Sequence, residues 1–229
     1  MTPVLDVSGL SFRYDSVTAL KGISFQVGAG DAVGLVGANG SGKSTLLWCI
    51  AGLLRSEGVV RLFGGQPARL CRQRIGMVFQ NPEDQLFMPT LAQDLALPLV
   101  NHGLSPEEAQ TAAHDWLERF GLGRYCDLPA THLSLGQRKR AAVALAMVRK
   151  PEFLILDEPT AELDGRAVRQ LSNTLNQLSV TKLIASHHLD FLRATTSRVI
   201  LLCEGGILAE GPTADILNDS ALMEESGLV

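Results

Sequence analysis

The chain has 229 residues, is 46% hydrophobic and 19% charged, and carries a formal net charge of −4. That length and apolar content suit one core with an inserted lobe and exclude a disordered chain, while the acidic balance and the lack of a basic and aromatic cluster argue against a nucleic-acid surface. Cys49, Cys71, Cys126 and Cys203 are scattered without metal-ligand spacing and read as buried thiols in a reducing compartment, and the longest apolar run, residues 141–148, is far short of a bilayer span.

The first residues, Met1 to Asp6, lack the basic and apolar regions of a signal peptide, so a cytoplasmic location is expected. Val4–Val7, Leu10–Tyr14 and Ile23–Val27 alternate apolar and polar residues between Gly and Asp punctuation, which predicts three short strands. Ala32–Val36 predicts a buried strand. It leads into Gly37-Ala38-Asn39-Gly40-Ser41-Gly42-Lys43-Ser44-Thr45, which matches G-x-x-x-x-G-K-[ST] at every constrained position and precedes a helix over Leu46–Ala51. Glycines let successive N–H groups wrap a phosphate chain, and the opening helix adds its positive dipole end. In such a cradle Lys43 reaches the β- and γ-phosphates, Ser44 ligates Mg²⁺ and Thr45 sits by the α-phosphate.

Residues 58–65 read as a strand and turn, and Arg74–Phe79 as a buried strand ending at Gln80. Asn81-Pro82 ends regular structure there, because a residue before proline avoids the helical region. Residues 83–150 change character. A helical stretch after Thr90 is predicted to break at Pro98, and Ser105-Pro106-Glu107-Glu108 is a capping box opening an amphipathic helix to about Phe120. Ser134-Leu135-Gly136-Gln137 is a second capping box, opening a helix that runs to about Lys150. A helical subdomain over about 83–150 is therefore expected, inserted into a core with β structure over about 1–82 and 151–229.

Phe153–Leu156 is an apolar run closed by Asp157-Glu158. Buried parallel strands have this form, their carboxyl ends bind ligands, and a carboxylate pair there can hold Mg²⁺ and polarise water. A helix over 165–178 and a strand over Lys182–Ser186 follow, ending at His187. His187-His188 is not read as a metal pair, since neighbours on extended chain diverge. Glu204-Gly205-Gly206 turns a hairpin, and Pro212-Thr213 introduces a last short helix.

The P-loop, Gln80, Leu133-Ser134-Leu135-Gly136-Gln137, Leu156-Asp157-Glu158, Leu163-Asp164 and His187, in this order, resemble the ATP-binding subunit of an ABC transporter over about residues 4–217. The resemblance implies an α/β fold: a P-loop NTPase (RecA-like) core with an N-terminal antiparallel β subdomain and an inserted α-helical subdomain. It implies ATP and Mg²⁺ as ligands. Tyr14 then matches the aromatic on adenine, Gln80 the contact to Mg²⁺ and the attacking water, Asp157 the Mg²⁺-side carboxylate, Glu158 the residue polarising water and His187 the switch on the γ-phosphate. Gly37, Asn39, Gly40, Ser41, Gly42, Lys43, Ser44 and Thr45 hold the phosphates. Ser134, Gly136 and Gln137 match the signature that caps the γ-phosphate held by an opposite subunit, and Asp164 the loop crossing that interface. A head-to-tail pair of ATPase subunits is implied, because the Ser134 helix, in the inserted lobe, can hardly reach its own P-loop. Leu135 and Glu162 depart from the family's glycine and small residue, and Leu135 is expected to turn outward.

Gln80-Asn81-Pro82-Glu83-Asp84-Gln85-Leu86-Phe87, then Pro89-Thr90 and Thr160-Ala161, resemble the ATPases of energy-coupling-factor importers, which take up vitamins or cobalt and nickel ions. This implies a transmembrane coupling subunit docking near Leu86, Phe87 and Met88, a substrate-binding membrane subunit, and a peripheral place on the inner face of the membrane. The short C-terminal end leans towards metal ions or biotin as cargo. The alternatives are the ATPase of another ABC class, such as a binding-protein-dependent importer, and a soluble ABC ATPase acting on nucleic acid or ribosomes. The latter carries coiled-coil insertions or tandem ATPase units, and neither is seen here.

Overall fold

The computed structural model describes residues 2–228; Met1 and Val229, the outer bounds of the expected domain, lie outside the described residues. In chain order the elements are β1 (Leu5–Tyr14), β2 (Val17–Val27), β3 (Ala32–Val36), α1 (Lys43–Ile50), β4 (Glu57–Leu62), β5 (Gln66–Pro67), α2 (Ala68–Cys71), β6 (Ile75–Val78), α3 (Leu91–Val100), α4 (Pro106–Arg119), α5 (Leu135–Met147), β7 (Phe153–Asp157), α6 (Gly165–Asn176), β8 (Thr181–Ala185), α7 (Leu189–Thr195), β9 (Arg198–Cys203), β10 (Gly206–Pro212), α8 (Thr213–Asn218) and α9 (Ser220–Glu225).

The strands form two sheets. One is antiparallel, in the order β2-β1-β4-β5; the other has the order β10-β9-β3-β8-β7-β6, with β10 antiparallel at its edge and the other five strands parallel. Strand side chains alternate between faces, and both faces of the parallel sheet are covered. Phe153 and Ile155 of β7, with Leu183 and Ile200, pack with α1 and the antiparallel sheet. Leu154 and Leu156, with Ile184 and Leu201, pack with α3, α4, α5, α6 and α7. That is why these strands read as unbroken apolar runs. The carboxyl ends of β3, β6, β7 and β8 come together at one edge, and each expected chemical group on the core follows one of them directly.

Three local expectations are corrected. Val4–Val7 and Leu10–Tyr14 are one strand, β1, whose register on β2 shifts between Val7 and Leu10, with Gly9 at φ 61. A glycine there marks a bulge instead of a turn. Pro98 does not break its helix: α3 runs on to Val100. In the last turn its missing N–H costs only the bond to the Asp94 carbonyl. Beyond Gln80, Asn81 is extended as expected, but Pro82–Asp84 form one 3-10 turn, capped by the Asn81 side chain accepting from the Glu83 N–H.

Candidate functional site

The phosphate loop joins β3 to α1. Gly42 precedes the helix at φ 104, and a Cβ there would stand 2.8 Å from both the Ala19 carbonyl oxygen and Leu20 Cδ2, so only glycine fits. A Cβ at Gly40 would meet open space, which leaves the mouth of the loop free. Lys43, the first residue of α1, is buried, and its Nζ donates to the carbonyls of Gly37 at 2.8 Å and Ala38 at 3.2 Å. The same ammonium lies 3.5 Å from Glu158 Oε1.

Next along the helix, Ser44 Oγ donates to Asp157 Oδ1 at 2.9 Å, linking α1 to the end of β7. Burial pushes the Asp157 carboxyl above the ordinary carboxylate range, and the Ser44 hydrogen bond pulls against it. Glu158 follows at φ 43, a left-handed conformation unusual for a side-chain-bearing residue. Its N–H still donates to Ala185 at 2.9 Å while its carboxylate turns to meet His187: Oε2 accepts from the His187 N–H at 3.3 Å and lies 2.8 Å from Nδ1. Such backbone strain, of about 1–3 kcal/mol, collects at working sites.

Tyr14, Asn39, Gly40, Gly42, Lys43, Ser44, Thr45, Gln80, Glu158 and His187 line one groove of about 540 Å³. Tyr14 is 43% exposed at its rim, edge-on to Phe12, with its hydroxyl 3.5 Å from Thr45 Oγ1. Ser41 is buried in the loop wall, with its Oγ unpartnered. The hydroxyl of Ser44, the carboxylate of Asp157 and the side-chain amide of Gln80 offer hard oxygen donors of the kind Mg²⁺ takes. Among the described residues no cluster of three His, Cys, Asp or Glu suits a metal. His188 Nδ1 accepts from the Phe191 N–H at 3.2 Å and caps α7, so it diverges from His187.

Ser134, Gly136, Gln137 and Asp164 do not enter that groove. They line a separate cavity of about 460 Å³, with Arg124, Arg140 and Arg166. Ser134 Oγ accepts from the Gln137 N–H at 3.4 Å, and Gln137 Oε1 accepts from the Ser134 N–H at 2.8 Å, closing the capping box. Gln137 Nε2 donates to the Tyr125 hydroxyl at 2.7 Å, so both ends of this side chain are held within the chain. Asp164 caps α6 through the Ala167 N–H at 2.8 Å. Leu135 is half-buried and, with Glu162, lines both this cavity and the one beside Gln80.

Two buried groups went unforeseen. Ser186 is fully buried, 3.2 Å from Thr160 Oγ1, and accepts from the His188 N–H at 3.1 Å, setting the turn that carries His187. Lys139 of α5 is also buried, and its Nζ donates to the carbonyls of Gln80 and Glu158. Its signal was present: it shares a helix face with Ala142 and Val143, three and four residues on, which are both buried.

A family model described as ABC transporter matches residues 20–161. A putative ABC transporter ATP-binding protein of Gloeobacter violaceus is 42% identical, over 100% of this chain and 97% of that protein. The energy-coupling factor transporter ATP-binding protein EcfA of Methanosphaera stadtmanae is 37% identical, over 100% of this chain and 86% of that protein. Among solved structures, CbiO1 of Clostridium perfringens, part of the ABC transporter complex cbiONQ, aligns with TM-score 0.85 at 33% identity over 100% of this chain and 96% of that one. The ATP-binding cassette MJ0796, solved as a dimer bound to ADP and phosphate, aligns with TM-score 0.82 at 26% identity over 91% of this chain and 98% of that one.

Proposed function

The chain belongs to the ABC transporter ATP-binding family and is an ATPase subunit whose hydrolysis is coupled to transport; from this premise we propose that it energises an importer of the energy-coupling-factor class. The observation that carries the paired-ATPase part of this reading is that the two groups of site residues line separate cavities. Lys43, Ser44, Gln80, Asp157, Glu158 and His187 converge on one sheet edge, while Ser134 opens α5 onto a different cavity. A helix N-terminus with free N–H groups suits a phosphate, and a second copy placed head to tail brings one to each P-loop.

Each chain residue then has a task. Tyr14 stacks on the adenine. Gly37, Asn39, Gly40, Ser41, Gly42 and Thr45 line the phosphate cradle, and Lys43 exchanges the Gly37 and Ala38 carbonyls for phosphate oxygens. Ser44, Gln80 and Asp157 hold Mg²⁺, which when bound neutralises phosphate charge. Glu158 polarises the water, with His187 holding its Oε2. The water oxygen bonds to the γ-phosphorus as the bond to the β–γ bridging oxygen breaks, and a proton of the water passes to Glu158, leaving ADP and phosphate. Positioning and charge supply most of such catalysis. Lys43→Ala should lose ATP affinity in a direct binding titration, whereas unchanged affinity would remove Lys43 from this role.

The importer class is supported by the Gln80–Phe87 segment and by relatives named as energy-coupling-factor ATPases at 37% and 36% identity. Gln85 laces that segment to β6, accepting from the Phe79 N–H at 2.9 Å and donating to the Met77 carbonyl at 2.8 Å. Phe87 then stands 69% exposed and Met88 is half-buried, whereas Leu86 packs into the core with α3 and falls out of the expected docking surface. In this reading the chain works on the inner face of the membrane with a transmembrane coupling subunit and a substrate-binding membrane subunit. The cargo is a micronutrient: cobalt or nickel ion, or a vitamin such as biotin. Co-purification with those two membrane subunits tests the class; a stable complex with an exporter or a two-lobed permease would contradict it.

A further inference from the structure

Lys139 follows Ser134 by five residues, about 7.5 Å along α5 at the usual helical rise, and is 2% exposed. Its ammonium donates to the Gln80 carbonyl and, at 3.4 Å, to the Glu158 carbonyl. A buried ammonium is costly unless its donors are met, and an apolar side chain of similar length would fill the space without that cost. What the lysine adds is a bond between three segments: the helix opening the second cavity, the turn after β6 and the turn after β7. Among the described residues α5 also has an ion pair to the Gln80 turn, Arg138 to Glu83 at 3.8 Å, with Glu83 65% exposed, where such a pair contributes little.

We propose that Lys139 is a positioning residue, tying the Ser134 helix to Gln80 and Glu158 so that engagement of a nucleotide held by a second copy sets the hydrolytic geometry of the chain's own site. This rests on the reading that Ser134–Gln137 complete the site of that copy. A helix stiff over this short span shifts as a unit, so a displacement at Ser134 reaches both carbonyls through one side chain. Coupling of this kind is reciprocal for binding: the position of Gln80 and Glu158 also biases how α5 presents its N-terminus.

The test compares the full-length chain, Lys139→Met, Glu158→Gln and the double variant. Lys139→Met should bind a fluorescent ATP analogue within about twofold of the parent, while kcat falls about 10-fold or more. The double variant should still form the ATP-dependent dimer of Glu158→Gln. A kcat near that of the parent overturns the proposal. So does an affinity that falls in step with the rate, which would make Lys139 a support of the P-loop, or loss of the dimer, which would make it a support of α5 alone. If Glu158→Gln itself stays monomeric with ATP, the underlying site reading fails, and that result is distinguishable from the others. Lys139→Gln carries the same comparisons should the methionine variant not fold.

Discussion

Asp94 shows how single side chains set this surface. It is 3% exposed, and its Oδ1 accepts from the N–H groups of Phe87 and Met88, both at 3.0 Å, fixing the turn that presents Phe87. Burial raises its carboxyl above the ordinary range, against the pull of the Met88 and Phe87 N–H bonds, and its Oδ2 has no partner. With the folded value raised, the native state holds the proton more tightly than the unfolded chain does. The stability this contributes is therefore present at acid pH and is lost as pH rises through the raised value. Asp94→Asn keeps an oxygen for the two N–H groups and removes the charge. It should raise the thermal midpoint at pH 7, with the gain shrinking as pH falls into the carboxylate range; a midpoint lowered equally at every pH would contradict this. Residues of constrained type at fixed spacing, such as Lys43, Ser44, Asp157 and Glu158, could be singled out in the sequence because phosphate and Mg²⁺ chemistry calls for such types, and the fold brings them to one sheet edge. Ser186 and Asp94 were not, and for Lys139 only its burial could be read, from the helix face it shares with Ala142 and Val143; the partners of all three are largely backbone groups brought close only by the fold, and a backbone group carries no residue-type signal.

At the scale of elements, burial separates scaffold from surface. Phe153 is fully buried in β7, so Phe153→Ala should cost about 3–5 kcal/mol in urea unfolding. Phe87→Ala, on an exposed turn, should change stability by about 0.5 kcal/mol or less yet reduce recovery of the transmembrane subunit. Equal losses of stability in the two would break the distinction. The strands β3 and β7 were readable as continuous apolar runs because both faces of the sheet are covered, and the two capping boxes marked α4 and α5 at their first turns. The bulge in β1 was not readable. Gly9 punctuates a turn and a bulge with the same residue, and only pairing with β2 and β4 decides between them. Pro98 misled for a related reason, since its cost depends on how much helix follows it. α9 passed unnoticed beyond α8; it starts where Asp219 accepts from the Leu222 N–H at 3.1 Å.

Across the whole molecule, no helix among the described residues is long and apolar enough to cross a membrane; in the proposed reading the work passes to partner subunits. The architecture supplies a route. The P-loop groove and the Ser134 cavity are separate, α5 borders both the cavity and the Gln80 turn, and the exposed Phe87 lies a few residues beyond Gln80. Closure of two copies over ATP would then move α5 relative to the parallel sheet, with the turn between them as the output. In this reading one chain holds half of each site. The most direct test is size-exclusion chromatography of Glu158→Gln with and without ATP, beside the same variant carrying Ser134→Arg, with hydrolysis measured on both. The expected result is an ATP-dependent dimer without turnover for Glu158→Gln, and a monomer that still binds ATP when Ser134 is also replaced. A Glu158→Gln chain that stays monomeric in ATP, or that hydrolyses it at nearly the parent rate, would contradict a site shared between two copies.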